Sequence, residues 1–262
     1  SPARLQFLQE TLTDLDASLQ DRNQGLEVYY EPPLETIAQL ITQYNISHIF
    51  ASVSPDYYFN RQWSILKQRY AMIDFKQTES GFLLDANQLP FERQELPDSF
   101  SKFRRRAEPI AVQQPLEAPS SLPPRPAATS KRSWQKQFPD CALQYKPLFH
   151  GGEQQGQQHM HSYFSRGLAS SYKQTRNGLD GMDYSTKFSP WLAAGSLSPR
   201  TIMQALKQYE MDVEKNDSTY WIYFELLWRE YFQRYAQKYG PQLFTFGCIK
   251  GRKPSTSFYP ER

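Results

Sequence analysis

The sequence predicts two domains of different class: an N-terminal α/β domain built on a doubly wound parallel sheet, and a C-terminal domain made of helices. Strand-like and helix-like segments alternate over residues 1–78, which is the order that parallel βαβ units require. A stretch rich in Pro, Ser and Ala follows, and the periodicity after it is helical. The length of 262 residues is enough for two ordinary domains.

The elements of the α/β domain follow in order along the chain. Five leucines recur at steps of three and four over residues 5–19, which predicts an amphipathic opening helix. Further helices are predicted over residues 32–45, opened by proline, and 56–70. Because doubly wound sheets normally begin with a central strand, we expect one more strand ahead of the opening helix. The segments predicted as strands are 26–30 (LEVYY), 48–53 (HIFASV) and 72–78 (MIDFKQT).

From Phe103 to Arg132 the sequence has neither helical nor strand periodicity, which is typical of an interdomain linker. Its three consecutive arginines, 104–106, are interpreted as a solvated face. We therefore predict an α/β domain over residues 1–106, a linker over 107–132 and a helical domain over 133–262.

Two helices of the second domain have clear start and stop signals. Ser198 followed by Pro199 is an N-cap with proline at the first helical position. Residues 216–240 predict a long aromatic helix, capped near Ser218 and ended by Gly240.

The composition restricts the class of protein. The net charge is +3, and residues 161–262 hold 14 Lys/Arg against 9 Asp/Glu, which fits a phosphate-bearing partner. Two cysteines without metal-ligand spacing favour a reducing compartment such as the cytoplasm. No apolar run has the length of a membrane span, and the four histidines lack the ligand spacing of a zinc site.

Three hydroxyls and a cation precede an apolar stretch within "YSTKFSPWLAAG". They are Ser185, Thr186, Lys187 and Ser189. Hydroxyl groups and a lysine are suitable donors to phosphate oxygens. We interpret this run as the holder of the phosphate end of a large cofactor.

One face of the long aromatic helix carries an acid and a base between tryptophans. Glu225 lies four residues after Trp221 and three before Trp228. Arg229 lies four residues after Glu225, so all four side chains share this face. An ion pair between Glu225 and Arg229 at the surface is one interpretation, and a ligand site is the other. Upstream, Tyr172 and Arg176 have the same four-residue spacing. Spacing alone leaves both interpretations open.

Three blocks of the sequence resemble the photolyase and cryptochrome family, and most of all its DASH branch. They are "GGE" (151–153), "YKQTRNGLDGMDYSTKFSPWLAAGSLSPR" (172–200) and "NDSTYWIYFELLWREYFQRYAQKYG" (216–240). Residues 89–108 also resemble the end of that branch's N-terminal domain. The resemblance implies an α/β antenna domain and an all-helical domain that binds FAD, both of them incomplete in this sequence.

The resemblance implies a role for each cofactor-site residue. Tyr172 matches a tyrosine that contacts FAD. Ser185, Thr186 and Ser189 match hydroxyls that bond the phosphates and the ribityl chain, with Lys187 as the adjacent cation.

Further roles follow for the long helix and for the antenna. Arg229 matches an arginine on the flavin side, and Trp221 is placed at the wall of the isoalloxazine. Glu225 and Trp228 match residues that bind and stack a flipped-out pyrimidine dimer, and Arg176 matches a DNA-contacting arginine at the rim. Asn60 matches an asparagine that contacts a folate antenna (5,10-methenyltetrahydrofolate), although Arg61 stands where some members carry glutamate.

The resemblance implies a monomeric, light-driven enzyme that repairs cyclobutane dimers in single-stranded DNA. Excited reduced flavin would donate the electron that splits the dimer. One alternative is a blue-light flavin photoreceptor that binds DNA or a protein partner without repair. Another is a truncated fragment that binds no flavin, since the family's first strand and the later part of its flavin domain are not found in this sequence.

Overall fold

The protein is described by a computed structural model, in which helices predominate and one small parallel sheet is present. The elements in chain order are α1 (Pro2–Gln20), α2 (Pro33–Tyr44), β1 (His48–Ser52), α3 (Tyr57–Arg69), β2 (Asp74–Thr78), α4 (Phe100–Ala107), α5 (Glu153–Ser165), α6 (Tyr172–Thr175), α7 (Ser189–Ala194), α8 (Pro199–Asp212) and α9 (Asp217–Tyr239). The structure describes residues 1–125, 134, 138, 146–245, 247, 249 and 251.

The β1–α3–β2 unit confirms the predicted alternation of strands and helices. The two strands pair in parallel, with His48 opposite Asp74 and Ser52 opposite Thr78. Helix α3 connects them, as a parallel crossover requires. Asp56 caps this helix, because its carboxylate accepts from the backbone amide of Phe59.

The strand predicted over residues 26–30 is wrong, because this segment has no regular structure. Two of its amides bond to side chains instead: that of Leu26 donates to the buried carboxylate of Asp16 at 2.8 Å. The amide of Tyr30 donates to Glu31. An extended segment becomes a strand only beside a partner, and the sheet of the described chain consists of β1 and β2.

Residues 103–107 were expected to be irregular, and this prediction is also wrong, because they complete helix α4. Phe100, Phe103 and Ala107 are buried along one face of that helix. Three arginines, 104–106, lie between Phe103 and Ala107, so the sequence of this segment does not look amphipathic. Arg105 and Arg106 are exposed, which agrees with a solvated face. Residues 111–125 contain neither helix nor strand.

The chain forms two compact units that interleave along the sequence. Unit 1 comprises Ser1–Tyr44, Gly81–Leu83 and Val112–Leu226, and unit 2 comprises Asn45–Ser80, Leu84–Ala111 and the chain from Leu227 onward. This partition differs from the boundaries predicted from the sequence, because α1 and α2 group with the helical part. Helix α9 is shared, since its first half belongs to unit 1 and its second half to unit 2.

Each unit has its own buried apolar side chains. Those in unit 1 include Phe82, Trp134, Tyr163, Phe164, Tyr172, Phe188, Trp191, Ile202, Leu206, Tyr209 and Ile222. Those in unit 2 include Leu66, Ile73, Leu84, Leu96, Phe100, Phe103, Leu227 and Tyr231.

The predicted start of α8 is confirmed, since the hydroxyl of Ser198 accepts from the amide of Arg200. At α9 the cap is Asn216, two residues before the predicted position. Its side-chain oxygen accepts from the amides of Ser218 and Thr219. The predicted end at Gly240 is confirmed, because its φ of 47° is unfavourable for other residues.

Candidate functional site

The hydroxyl run forms a loop that ends at the start of α7. Lys187 has φ of +53°, a left-handed conformation that lysine rarely adopts. One residue earlier, the carbonyl oxygen of Thr186 lies 2.8 Å from Nε2 of His159 on α5. The loop is therefore held in a specific, strained shape.

The polar side chains of this loop have no protein partner among the residues that the structure describes. This holds for Ser185, Thr186, Lys187 and Ser189, of which the first three are half-buried and the last is exposed. Polar groups that are partly removed from water usually find a partner, so these donors are available to a ligand. Three hydroxyls and one cation fit a pyrophosphate group.

The loop is supported by packing on both sides. Phe188 and Trp191 are each 3% exposed, and the indole nitrogen of Trp191 donates to the carbonyl of His150 at 2.9 Å. On the solvent side, Arg166 and Asp183 form a two-bond ion pair across the start of the loop. Sequence reasoning did not identify this pair, because its members lie 17 residues apart.

Ser189 also lines a cavity of about 610 Å³ between α1 and α7. Its other walls include Arg4, Phe7 and Phe149. The cavity combines one cation with aromatic surface.

A second group of predicted residues meets at the start of α9. Nη1 of Arg176 donates to Oε1 of Glu225 at 3.0 Å, and the guanidinium carbon lies 4.1 Å from the ring centroid of Trp221. The alternative of an ion pair between Glu225 and Arg229 is therefore wrong; Arg229 instead donates to Gln233. Within the described chain, Nε of Arg176 is buried and has no hydrogen-bond partner. The acid of α9 and the cation that directly follows α6 thus form one ion pair beside Trp221.

Tyr172 belongs to the same electrostatic environment. The pKa of its phenol is raised to about 12, chiefly by burial and then by the charge of Glu225, while Arg176 opposes the effect. Burial also lowers the pKa of the Arg229 guanidinium, although the neighbouring Glu230 opposes this.

The raised pKa of Tyr172 predicts an alkaline loss of stability. Its pKa in the folded chain lies above the ordinary value of 10, so the folded state keeps a proton that the unfolded state has lost. The stabilisation is complete below about pH 10 and is lost as the pH rises through about 12. We expect Tyr172→Phe to flatten the decline of the unfolding free energy over this range. Urea titrations at several pH values measure the free energy of unfolding, and Tyr58→Phe, at an exposed tyrosine, is the control. If this free energy declined with pH equally steeply in both variants, the raised pKa of Tyr172 would be contradicted.

Trp228 lies in unit 2, within an aromatic cluster. Its ring stacks on Phe100 with centroids 3.6 Å apart and an interplanar angle of 13°, and it also stacks on Phe232. Tyr231 meets it edge-on. Its assignment as a lesion-stacking residue stays a prediction.

Asn60 lies in the first turn of α3. Its side-chain nitrogen donates to the carbonyls of Ser54 and Asp56, at 2.9 and 2.7 Å. The amide hydrogens are thus used locally, while the side-chain oxygen remains for other contacts. Its assignment to an antenna stays a prediction.

Within the described ranges, no group of three or more His, Cys, Asp or Glu side chains could hold a metal ion. The helices described there also include none that is both long enough and apolar enough to cross a membrane.

Residues 1–121 match the family model for DNA photolyase. Cryptochrome DASH of Vibrio parahaemolyticus is 43% identical over 263 residues, which cover 99% of this chain and 58% of the relative. The solved cryptochrome of Synechocystis superposes with a TM-score of 0.85 at 38% identity, over 94% of this chain and 53% of that one. The chain therefore spans about half the length of the relatives it matches.

A more distant structure shows the same fold. The archaeal photolyase of Sulfolobus tokodaii, solved with two FAD molecules, has a TM-score of 0.67 at 19% identity, over 93% of this chain and 50% of that one. The predicted family and fold class are confirmed. The domain boundaries and the role of each site residue stay predictions.

Proposed function

This chain belongs to the photolyase and cryptochrome family, in its DASH branch, and on that premise we propose that it binds FAD and serves light-driven repair of pyrimidine dimers in single-stranded DNA. The observation that carries the FAD proposal is the loop with three hydroxyls and a lysine that lack protein partners in the described chain. Such a donor set is matched to a ligand with two phosphates.

The protein's contribution is positioning and electrostatics. When bound, reduced FAD would supply the light-excited electron. Ser185, Thr186 and Ser189 would hold its phosphates, and Lys187 would offset their charge. We also propose that Tyr172, Trp221 and Arg229 contact FAD.

The Arg176–Glu225 pair is suited to a nucleic-acid base at its rim. Each side chain is partly exposed, at 26% and 37%, so both are open to a ligand. A glutamate oxygen accepts from base N–H groups, and an arginine attracts the phosphate backbone. We propose that Glu225 and Trp228 contact the dimer and that Arg176 contacts the strand. Single-stranded DNA is favoured because its bases need not be unpaired first.

Three finer parts of the proposal stay predictions. A folate antenna beside Asn60 would have to use the side-chain oxygen, because the amide nitrogen already donates to two carbonyls. A reducing compartment such as the cytoplasm is supported by the low number of cysteines, which is two. A monomer is proposed on the family resemblance alone.

The experiment combines absorption with repair. The purified chain is titrated with FAD, and the bound sample is illuminated with blue light beside single-stranded DNA that carries a cyclobutane dimer. Bound flavin with dimer loss supports the proposal. Bound flavin with DNA binding but no dimer loss favours the photoreceptor, and a folded chain that binds no FAD favours the fragment.

Replacement of Glu225 separates the two ligands. We expect Glu225→Ala to weaken binding of the dimer-containing strand about tenfold, because one hydrogen bond to a charged acceptor is lost. FAD binding should remain near that of the wild type. Fluorescence anisotropy of the labelled strand measures the affinity for the dimer, and flavin titration measures the affinity for FAD.

The control is Glu214→Ala, at an exposed glutamate just before α9, which should change neither affinity. Loss of flavin from Glu225→Ala with unchanged dimer affinity would place Glu225 in the cofactor site instead.

A further inference from the structure

His159 is surrounded by the residues that shape the hydroxyl loop. Its Nε2 lies 2.8 Å from the carbonyl oxygen of Thr186. Its ring stacks on Trp191, with centroids 4.9 Å apart and an interplanar angle of 25°, and meets Phe188 edge-on at 5.8 Å. One imidazole from α5 thus contacts the loop and the start of α7 together.

The hydrogen bond has a defined direction. A carbonyl oxygen can only accept, so Nε2 carries the hydrogen, in the neutral and in the charged ring alike. The accepting carbonyl belongs to the peptide group that joins Thr186 to Lys187. Its orientation therefore affects the left-handed backbone of Lys187 directly.

A left-handed backbone is unfavourable for a residue other than glycine, so neighbouring contacts must maintain it. Without the imidazole donor, this peptide group could rotate toward a more ordinary conformation. The rotation would move the side chains on both sides of it, Thr186 and Lys187. Their positions toward a phosphate ligand therefore depend on the bond from His159.

We infer that His159 is a positioning residue of the phosphate-binding loop: its Nε2–H fixes the Thr186–Lys187 peptide in the shape that binds the diphosphate of FAD. The inference rests on the proposed function, because it takes the loop as the phosphate site. It adds a residue on another helix, with no place in the hydroxyl run, to the binding machinery.

Three variants test the donor separately from the ring. His159→Phe keeps a flat ring against Trp191 but removes the donor. His159→Gln restores a nitrogen donor near the position of Nε2 without the ring. His161→Phe is the control, since His161 is exposed on the same helix. The dissociation constant of FAD is measured by flavin fluorescence, and folding by circular dichroism without FAD.

We expect His159→Phe to weaken FAD binding about tenfold, which corresponds to one lost hydrogen bond. His159→Gln should recover most of the affinity, and His161→Phe should match the wild type. If the phenylalanine variant does not fold, His159→Met replaces it, because methionine matches glutamine in length and lacks the donor.

The outcomes distinguish this inference from the proposed function. Equal FAD affinity in the wild type, His159→Phe and His159→Gln would overturn the role of His159 and leave the FAD proposal in place. Equal weakening in His159→Phe and His159→Gln would also overturn it, because shape alone would then matter. A wild-type chain that binds no FAD overturns both.

Discussion

A chain without the three hydroxyls of the loop is expected to lose FAD while keeping its fold. In the triple variant Ser185→Ala, Thr186→Val and Ser189→Ala, we expect the dissociation constant of FAD to rise about a hundredfold or more. Hydrogen bonds to charged groups contribute about 1.5–3 kcal/mol each, and three of them are removed. The fold should persist because no described residue bonds to these hydroxyls.

The comparison uses flavin titration of the triple variant beside a matched control. Three exposed hydroxyls on other helices provide it, in the variant Thr42→Val, Ser64→Ala and Ser101→Ala. Thermal unfolding without FAD checks that both variants fold as the wild type does. If the loop variant bound FAD as tightly as the control, the loop would not be the phosphate site.

Removal of Arg234 is expected to have the largest effect on stability. Its guanidinium donates to Glu230, to Glu79 and to the carbonyl of Leu84, all in unit 2. Arg234 is 6% exposed, and Glu230 is fully buried. In Arg234→Met a buried carboxylate loses its cation, so we expect the free energy of unfolding to fall by about 3–5 kcal/mol.

Urea unfolding followed by circular dichroism measures this loss. The control is Arg105→Met, which removes an exposed arginine from α4 in the same unit and should change the stability little. The double variant Arg234→Met with Glu230→Gln should recover part of the stability, because the buried negative charge that Arg234 had balanced is then also removed. An Arg234→Met chain as stable as Arg105→Met would contradict this account.

The parts of the fold that follow from local pattern were predictable. Strands β1 and β2 and helix α3 have strand-like and helix-like sequences that alternate along the chain, so the βαβ unit could be predicted from the sequence alone. The segment 26–30 has equal strand character, yet a strand also needs a partner, which no local pattern specifies. In α4, Phe100, Phe103 and Ala107 form an apolar stripe. The three arginines at 104–106 interrupt it in the sequence, so the segment was predicted as a linker.

The same distinction applies to the candidate site. The hydroxyls and the lysine lie within residues 185–189, so this set of donors could be recognised from the sequence. The partner of Glu225 could not, because Arg176 lies 49 residues away while Arg229 stands at ion-pair spacing. His159 was also missed, because no sequence pattern indicates a hydrogen bond from an imidazole to a backbone carbonyl 27 residues away.

The left-handed backbone at Lys187 has a consequence for how this sequence can evolve. Glycine fits that conformation best, and selection for stability alone would favour it there. The chain keeps a long cationic side chain instead, at a position where the fold does not need one. Under the proposed function, stability and ligand recognition oppose each other at this residue, as is typical of functional sites. Related proteins that had lost the ligand would be expected to drift toward glycine or asparagine here.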